Sequence, residues 1–144
     1  MVIQRLQNLY LFLAILLMGL FCFLPCAELY VHNSIIDFGV MKAGASYNWG
    51  TFSLSLVLEL LLVVTLALFK KPKVQKKLAI TSACLLVCYI TAMILLFYAL
   101  GTRTVTATYN IIATFPIITL ILDILAINRI SKDIKLLASA YRLR

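Results

Sequence analysis

KKPKVQKK at Lys70–Lys77 runs straight into LAITSACLLVCYITAMILLFYAL at Leu78–Leu100, a stretch of 23 residues without a charge. A helix rises about 1.5 Å per residue, so this run is long enough to cross a hydrocarbon core of about 30 Å. The five lysines in front of it mark the side from which the crossing starts, because basic residues are retained on the cytoplasmic side. Working outward from this junction, three further apolar runs appear at Leu6–Leu24, Phe52–Phe69 and Tyr109–Ile127. The whole chain, 1–144, therefore reads as one transmembrane domain, with spans at 6–24, 52–69, 78–100 and 109–127 and a polar tail at 128–144.

The charges agree with one another about direction. Of 13 basic residues, 11 fall on one side if both termini and the second loop share it. They are Arg5, Lys70, Lys71, Lys73, Lys76, Lys77, Arg129, Lys132, Lys135, Arg142 and Arg144, and only Lys42 and Arg103 are left for the other side. The expected topology is N-in/C-in. The same cluster is suited to lipid headgroups or to a partner at the cytoplasmic face. A net charge of +8 distributed in this way sets orientation, and nucleic acid is not an expected partner. With 64% hydrophobic and 12% charged residues there is no room for a soluble domain.

The connections are less uniform. Arg5 precedes an apolar stretch as in a secretory signal, but Leu24-Pro25-Cys26-Ala27 is a poor cleavage site, so the first run is read as a retained span. The loop Pro25–Thr51 carries β-prone segments at Leu29–Val31 and Ser34–Val40 with glycines at Gly39, Gly44 and Gly50, the composition of a small hairpin over the outer face. Tyr47 and Trp49 sit where amphipathic rings favour the membrane interface. Gly101–Thr108 reads as a short loop, and Pro116 as a tolerated kink inside the fourth span. In the tail, Ile130, Ile134, Leu137 and Tyr141 share one helical face, the pattern of an amphipathic interfacial or docking helix. The expected fold is an all-α membrane protein, a four-transmembrane-helix bundle with a β-containing outer loop and an amphipathic C-terminal helical tail.

Two acids fall inside spans and are the first candidates for function. Glu59 lies seven residues past Phe52, about 10 Å below the outer end, and Asp123 lies toward the cytoplasmic end of the fourth span. A carboxyl in hydrocarbon costs about 2.5–3.5 kcal/mol on insertion scales, so it faces a bundle interior, pairs, or protonates. Ser55 and Thr119 each stand one turn before an acid, which marks those faces as inward. Glu59 reads either as a proton or cation site or as structural hydrogen-bonding glue. Asp123 is expected to pair with Arg5 and so to close the first helix onto the fourth.

Other chemistry is poorly served. Cys22 and Cys26, like Cys84 and Cys88, are separated by three residues rather than the two of a reactive C-x-x-C pair. Cys84 and Cys88 with Thr81 and Thr91 form a small-residue stripe, read as a close helix-packing face. His32 is the only histidine, so no bis-histidine haem is expected, and no spacing suggests zinc or any other metal or cofactor. There is no glycine-rich phosphate loop, no G-x-x-x-G in a span and no internal repeat, and the lone loop histidine makes a serine nucleophile set improbable.

Two short segments carry a resemblance. Ile3-Gln4-Arg5-Leu6-Gln7 with Tyr10-Leu11 at one end, and Asn128-Arg129-Ile130, Lys132-Asp133, Lys135-Leu136 and Arg142-Leu143-Arg144 at the other, are similar to a small four-span bacterial inner-membrane family of unknown function, seen chiefly in Bacteroidota. The chain departs from that family's pattern at Tyr141, where an acid would be expected. The resemblance implies a multi-pass protein of the bacterial inner membrane and directs attention to the polar rim of Arg5, Asn128, Arg129 and Asp133. Three functional classes follow. The first is a non-catalytic accessory, assembly or scaffold subunit bound to another integral membrane protein or to itself. The second is a dimeric proton- or cation-coupled carrier using Glu59. It is similar in size to small four-helix multidrug carriers, although those hold their glutamate in the first span. The third is a thiol oxidoreductase.

Overall fold

A computed structural model describes residues 2–31, 34–39, 48–101 and 106–142, with side chains described for 6–28, 50–99 and 108–139. His32, Val40, Lys42, Gly44, Tyr47, Arg103 and Arg144 lie outside the described residues, as do the side chains of Arg5, Trp49, Tyr141 and Arg142. The chain forms four long helices: α1 (Val2–Phe23), α2 (Asn48–Ala67), α3 (Pro72–Gly101) and α4 (Phe115–Arg142). All four are long and apolar enough to cross a membrane. Only 33% of the α1 span and 22% of each of the others is buried within the bundle, so Phe12, Leu16, Leu60, Ile94, Leu95 and Ile121 point outward. Bare apolar surface on this scale is stable against lipid and not against water.

Inside the bundle the helices follow one rule. Cys22 is buried just off the seam, and the buried seam positions are Gln7, Leu11, Ala14, Met18 and Phe21 on α1, Ser55, Leu58, Leu62 and Thr65 on α2, Gln75, Ala79, Ser82, Leu86, Tyr89 and Met93 on α3, and Pro116, Thr119, Asp123, Ala126, Ile130 and Asp133 on α4. Within every helix these are spaced alternately by three and four residues, the heptad spacing of a left-handed bundle. Contacts run between α1 and α2, α2 and α3, α3 and α4, and α4 and α1. That cyclic order places α1 diagonally opposite α3.

Two features close the ends. The α2–α3 connection is tight: Lys71 N–H donates to the Leu68 carbonyl at 2.9 Å, and the Lys71 carbonyl then accepts from Gln75 N–H at 2.9 Å. Pro72 opens α3 at a position where no N–H is required. Lys73, Lys76 and Lys77 therefore belong to the first turns of α3 and not to a loop as expected. At the other end lies a three-stranded antiparallel sheet of order β2-β1-β3, formed by β1 (Pro25–Val31), β2 (Ser34–Gly39) and β3 (Thr106–Tyr109). The β1–β2 hairpin is the element expected in the outer loop. β3 was expected to be loop; it adds to the other side of β1, with Ala27 opposite Tyr109 and Tyr30 opposite Thr106. Its reason is tertiary, since Thr106–Tyr109 has a partner edge only because β1 is already in place.

One more expectation is corrected. Pro116 lies in the first turn of α4, after a 3-10 turn at Ile111–Thr114, where it costs no helical hydrogen bond and produces no mid-span kink. The tail is helical as expected, and it continues α4 without a break to Arg142. Its heptad seam passes through Ile130 to Asp133, leaving Ile134 half-buried and Leu137 48% exposed.

Candidate functional site

The seam changes character along its length. Three contacts set the level of each helix: the Phe21 and Tyr89 rings meet edge to face at 6.2 Å, Ser82 Oγ bonds Asp123 Oδ2 at 2.6 Å, and Glu59 Oε1 lies 3.6 Å from the space a Gly19 side chain would enter. One heptad inward from Phe21 and Tyr89 are Ala14 and Ser82, so Asp123 shares their level, with Thr65 of α2 close to it. A second heptad inward are Gln7 and Gln75, on diagonal helices, both wholly buried in the seam. The half of the bundle nearer the basic turn is thus lined by Gln7, Leu11, Ala14, Thr65, Gln75, Ala79, Ser82, Asp123, Ala126, Ile130 and Asp133. The half beneath the sheet is filled by Met18, Phe21, Leu58, Leu62, Leu86, Tyr89 and Met93.

Asp123 is completely buried. Its Oδ2 meets the Ser82 hydroxyl, which also lies 2.8 Å from the Ala79 carbonyl, while its Oδ1 has no protein partner. The amide groups of Gln7 and Gln75 are likewise without partners at both oxygen and nitrogen, as are Asn8 Oδ1 and Asp133 Oδ2. A buried polar atom left dry costs about 1–3 kcal/mol, so a group of them in one half of a small bundle demands an explanation.

The expected partner of Asp123, Arg5, has a side chain outside the described ones. Its helix position is nine residues inward of Ala14, about 13 Å along the axis from the level of Asp123. Asp133 is the acid nearer that level. Thr119 is buried on the seam with Asp123, but its hydroxyl bonds back to the Phe115 carbonyl at 2.9 Å. Ser55 is buried too and bonds back to Phe52 at 2.8 Å, whereas Glu59 sits half-buried on the α1–α2 flank with Oε2 unpartnered. Glu59 and Asp123 therefore lie in different places: one on the flank beside Gly19, the other on the axis.

The cysteines divide in the same way. Cys84 and Cys88 are exposed on the outer face of α3, with Thr81 and Thr91, so among the described residues nothing covers this stripe. Cys22 and Cys26 are buried near Tyr89 and are not joined by a disulfide. A β-bulge explains why both Cys26 and its neighbour Ala27 face inward: the β1–β2 register shifts between Pro25 and Ala27, which breaks the alternation of a regular strand. Burial pushes the Cys26 thiol up to about 11, the opposite of what a nucleophilic cysteine requires.

Lys70, Lys71, Lys73, Lys77, Lys132 and Lys135 are exposed around the end of the bundle away from the sheet, with Lys76 and Arg129 half-buried beside them. Among the described residues no three His, Cys, Asp or Glu side chains converge as metal ligands. Gln7, Gln75, Ser82 and Tyr89 were missed in the sequence. The signal for them was present in the 75-79-82-86-89-93 spacing of α3, which joins residues that differ in polarity and share only their heptad position. No curated protein matches this chain. A family model described as a domain of unknown function, DUF4293, matches residues 3–143. Four apolar helices around a polar seam, with a sheet at one end and a basic rim at the other, are thus the architecture of a member of the DUF4293 family.

Proposed function

We propose that this protein is a non-catalytic accessory or scaffold subunit of the bacterial inner membrane, with both termini and the α2–α3 turn in the cytoplasm. The observation that carries the reading is the outward face of α3. Thr81, Cys84, Cys88 and Thr91 line up at helical spacing, are small, and are exposed. Small residues on a membrane helix allow a second helix to approach closely. Within this chain that surface is unused, while the larger Leu and Ile side chains elsewhere already suit lipid. The basic rim would meet anionic headgroups or an acidic face of the partner. Purification from native-level expression in mild detergent tests the reading. The expected result is a particle larger than two chains that contains a second membrane protein. Migration alone at the mass of one or two chains overturns it.

A second reading rests on Glu59, whose Oε2 is buried and unpartnered on the α1–α2 flank. An acid placed there suits a dimeric proton-coupled carrier. Proton release on addition of cationic compounds, abolished by Glu59→Gln, is its signature, and no release with any of them removes it.

A further inference from the structure

The unpartnered polar atoms of the basic half have a geometry that points to a ligand. Gln7 is 1% exposed and Gln75 fully buried, and they face each other across the bundle at one level, every amide atom lacking a protein partner. Asp133 lies one seam position further toward the basic end, with Oδ2 unpartnered. Two seam positions toward the sheet lies Asp123; between it and the glutamines α3 and α4 contribute only the methyl groups of Ala79 and Ala126, Leu11 of α1 takes the remaining space at that level, and Ile130 of α4 stands beside the glutamines. We infer that water enters the bundle from the basic end, held by Asp133, Gln7 and Gln75, and makes Asp123 a proton-binding carboxyl addressed from that end alone. The inference does not depend on the accessory reading above.

The Ser82 hydroxyl is placed to serve both charge states. It lies 2.6 Å from Asp123 Oδ2 and 2.8 Å from the Ala79 carbonyl, and its single hydrogen can satisfy only one of them at a time. With Asp123 ionised, Ser82 donates to Oδ2. With Asp123 protonated, the carboxyl donates to Ser82 Oγ and the hydroxyl turns to Ala79. A hydronium ion that reaches Asp123 gives its proton to the carboxylate and leaves as water, so one O–H bond breaks, one forms, and no other group changes charge. The seam beyond Asp123 offers no continuation: Met18, Leu62, Leu86, Phe21, Leu58 and Tyr89 fill it, and the Thr119 hydroxyl is turned back onto its own helix.

Asp123 bonds Ser82 of α3, and the buried Ala14 of α1 and Thr65 of α2 lie at its level; none of the three ionises. The titratable and charged groups of the surrounding elements lie nearer the basic end: Tyr10 on α1, Lys76 on α3, and Arg129 and Asp133 on its own helix. Glu59 of α2 lies on the flank beside Gly19.

Infrared spectroscopy of the full chain in proteoliposomes tests this, in a Glu59→Gln background that removes the other carboxyl within a span. The expected result is a protonated-carboxyl C=O band that is lost in Asp123→Asn, disappears reversibly as pH is raised, and shifts within minutes of exchange into D2O. The paired change Gln7→Leu with Gln75→Leu should slow that shift at least tenfold while the amide bands stay unchanged. A band that resists D2O for hours, a band untouched by Asp123→Asn, or wild-type exchange in the double variant overturns the inference. Sidedness has its own readout in a background with the four native cysteines changed to alanine. Ala79→Cys should react with a charged methanethiosulfonate added at the basic side, and Leu86→Cys should react from neither side. Equal labelling of the two positions overturns one-sided access.

Discussion

The two halves of the bundle share a heptad seam and use it for opposite purposes. Under the sheet, the seam carries large apolar and aromatic side chains, and Phe21 and Tyr89 meet edge to face across the diagonal. Near the basic rim, equivalent seam positions carry Gln7, Gln75, Ser82, Asp123 and Asp133 among three alanines, Leu11 and Ile130. Both halves are buried to the same degree, so burial does not distinguish them. What distinguishes them, among the described side chains, is how many polar atoms lack partners: two in the sheet half, Tyr89 Oη and Glu59 Oε2, against seven in the basic half. One half is held by packing. The other is built around polar groups that packing alone would not favour.

That contrast can be broken by substitution, most severely in the packed half. Tyr89→Ala removes a wholly buried ring and is expected to cost about 3–5 kcal/mol of stability in detergent. Tyr89→Phe should leave the melting temperature nearly unchanged, because Ser55, the hydroxyl beside it, already gives its hydrogen to the Phe52 carbonyl. A large loss in Tyr89→Phe would mean that the sheet half also depends on polar contacts. Next in size is a pH effect at the junction of helix and sheet. The Cys26 thiol, at 9.0 when exposed, is raised to about 11 by burial, so the folded state holds its proton more tightly than the unfolded state. Its contribution is fully present below pH 9 and lost as pH rises through 11, by about 3 kcal/mol. The stability difference between wild type and Cys26→Ala, followed from pH 8 to 12, should shrink over that window and no earlier.

In the polar half, Ser82→Ala takes the one described partner from Asp123 and should cost only about 1 kcal/mol, as membrane hydrogen bonds generally do. Gln7→Leu with Gln75→Leu should be neutral or stabilising, since two unpartnered amides are replaced by apolar groups of similar size. A loss of several kcal/mol in thermal unfolding would show that these amides have strong partners in the folded state. The smallest effect belongs to the outer surface. Cys84→Leu and Cys88→Leu should change the stability of the isolated chain by no more than about 0.5 kcal/mol. The same variants should reduce the amount of any membrane protein that co-purifies, and an unchanged yield would detach the α3 face from partner binding.

Much of the architecture could be read without coordinates. Leu78–Leu100 and its three counterparts are helices because each is apolar for longer than any strand or soluble core segment needs. The β1–β2 hairpin was legible from Leu29–Val31 and Ser34–Val40. The site was harder. Glu59 and Asp123 stood out as acids in apolar runs, Glu59 as the proton or cation candidate and Asp123 as a structural partner of Arg5, but only the fold separated a flank position from an axial one. Thr81, Cys84, Cys88 and Thr91 read as a close helix-packing face, and the fold puts that face on the outside of α3. Arg5, expected to pair with Asp123, stands about two and a half turns nearer the basic end, and its side chain lies outside the described ones.

The sequence by itself determined where the chain crosses, where it turns and at which end the basic residues collect, because hydropathy and charge bias act residue by residue along the chain. Only the tertiary structure decided which face of each helix is inside. In a water-soluble protein the contrast between core and solvent marks that face, but a membrane helix is apolar all round, and the contrast is gone. The same cause hid the pairing of Ser82 with Asp123, which are 41 positions apart in the chain and touch only because two heptad seams meet. It also hid β3, whose four residues become a strand only against the edge that β1 presents.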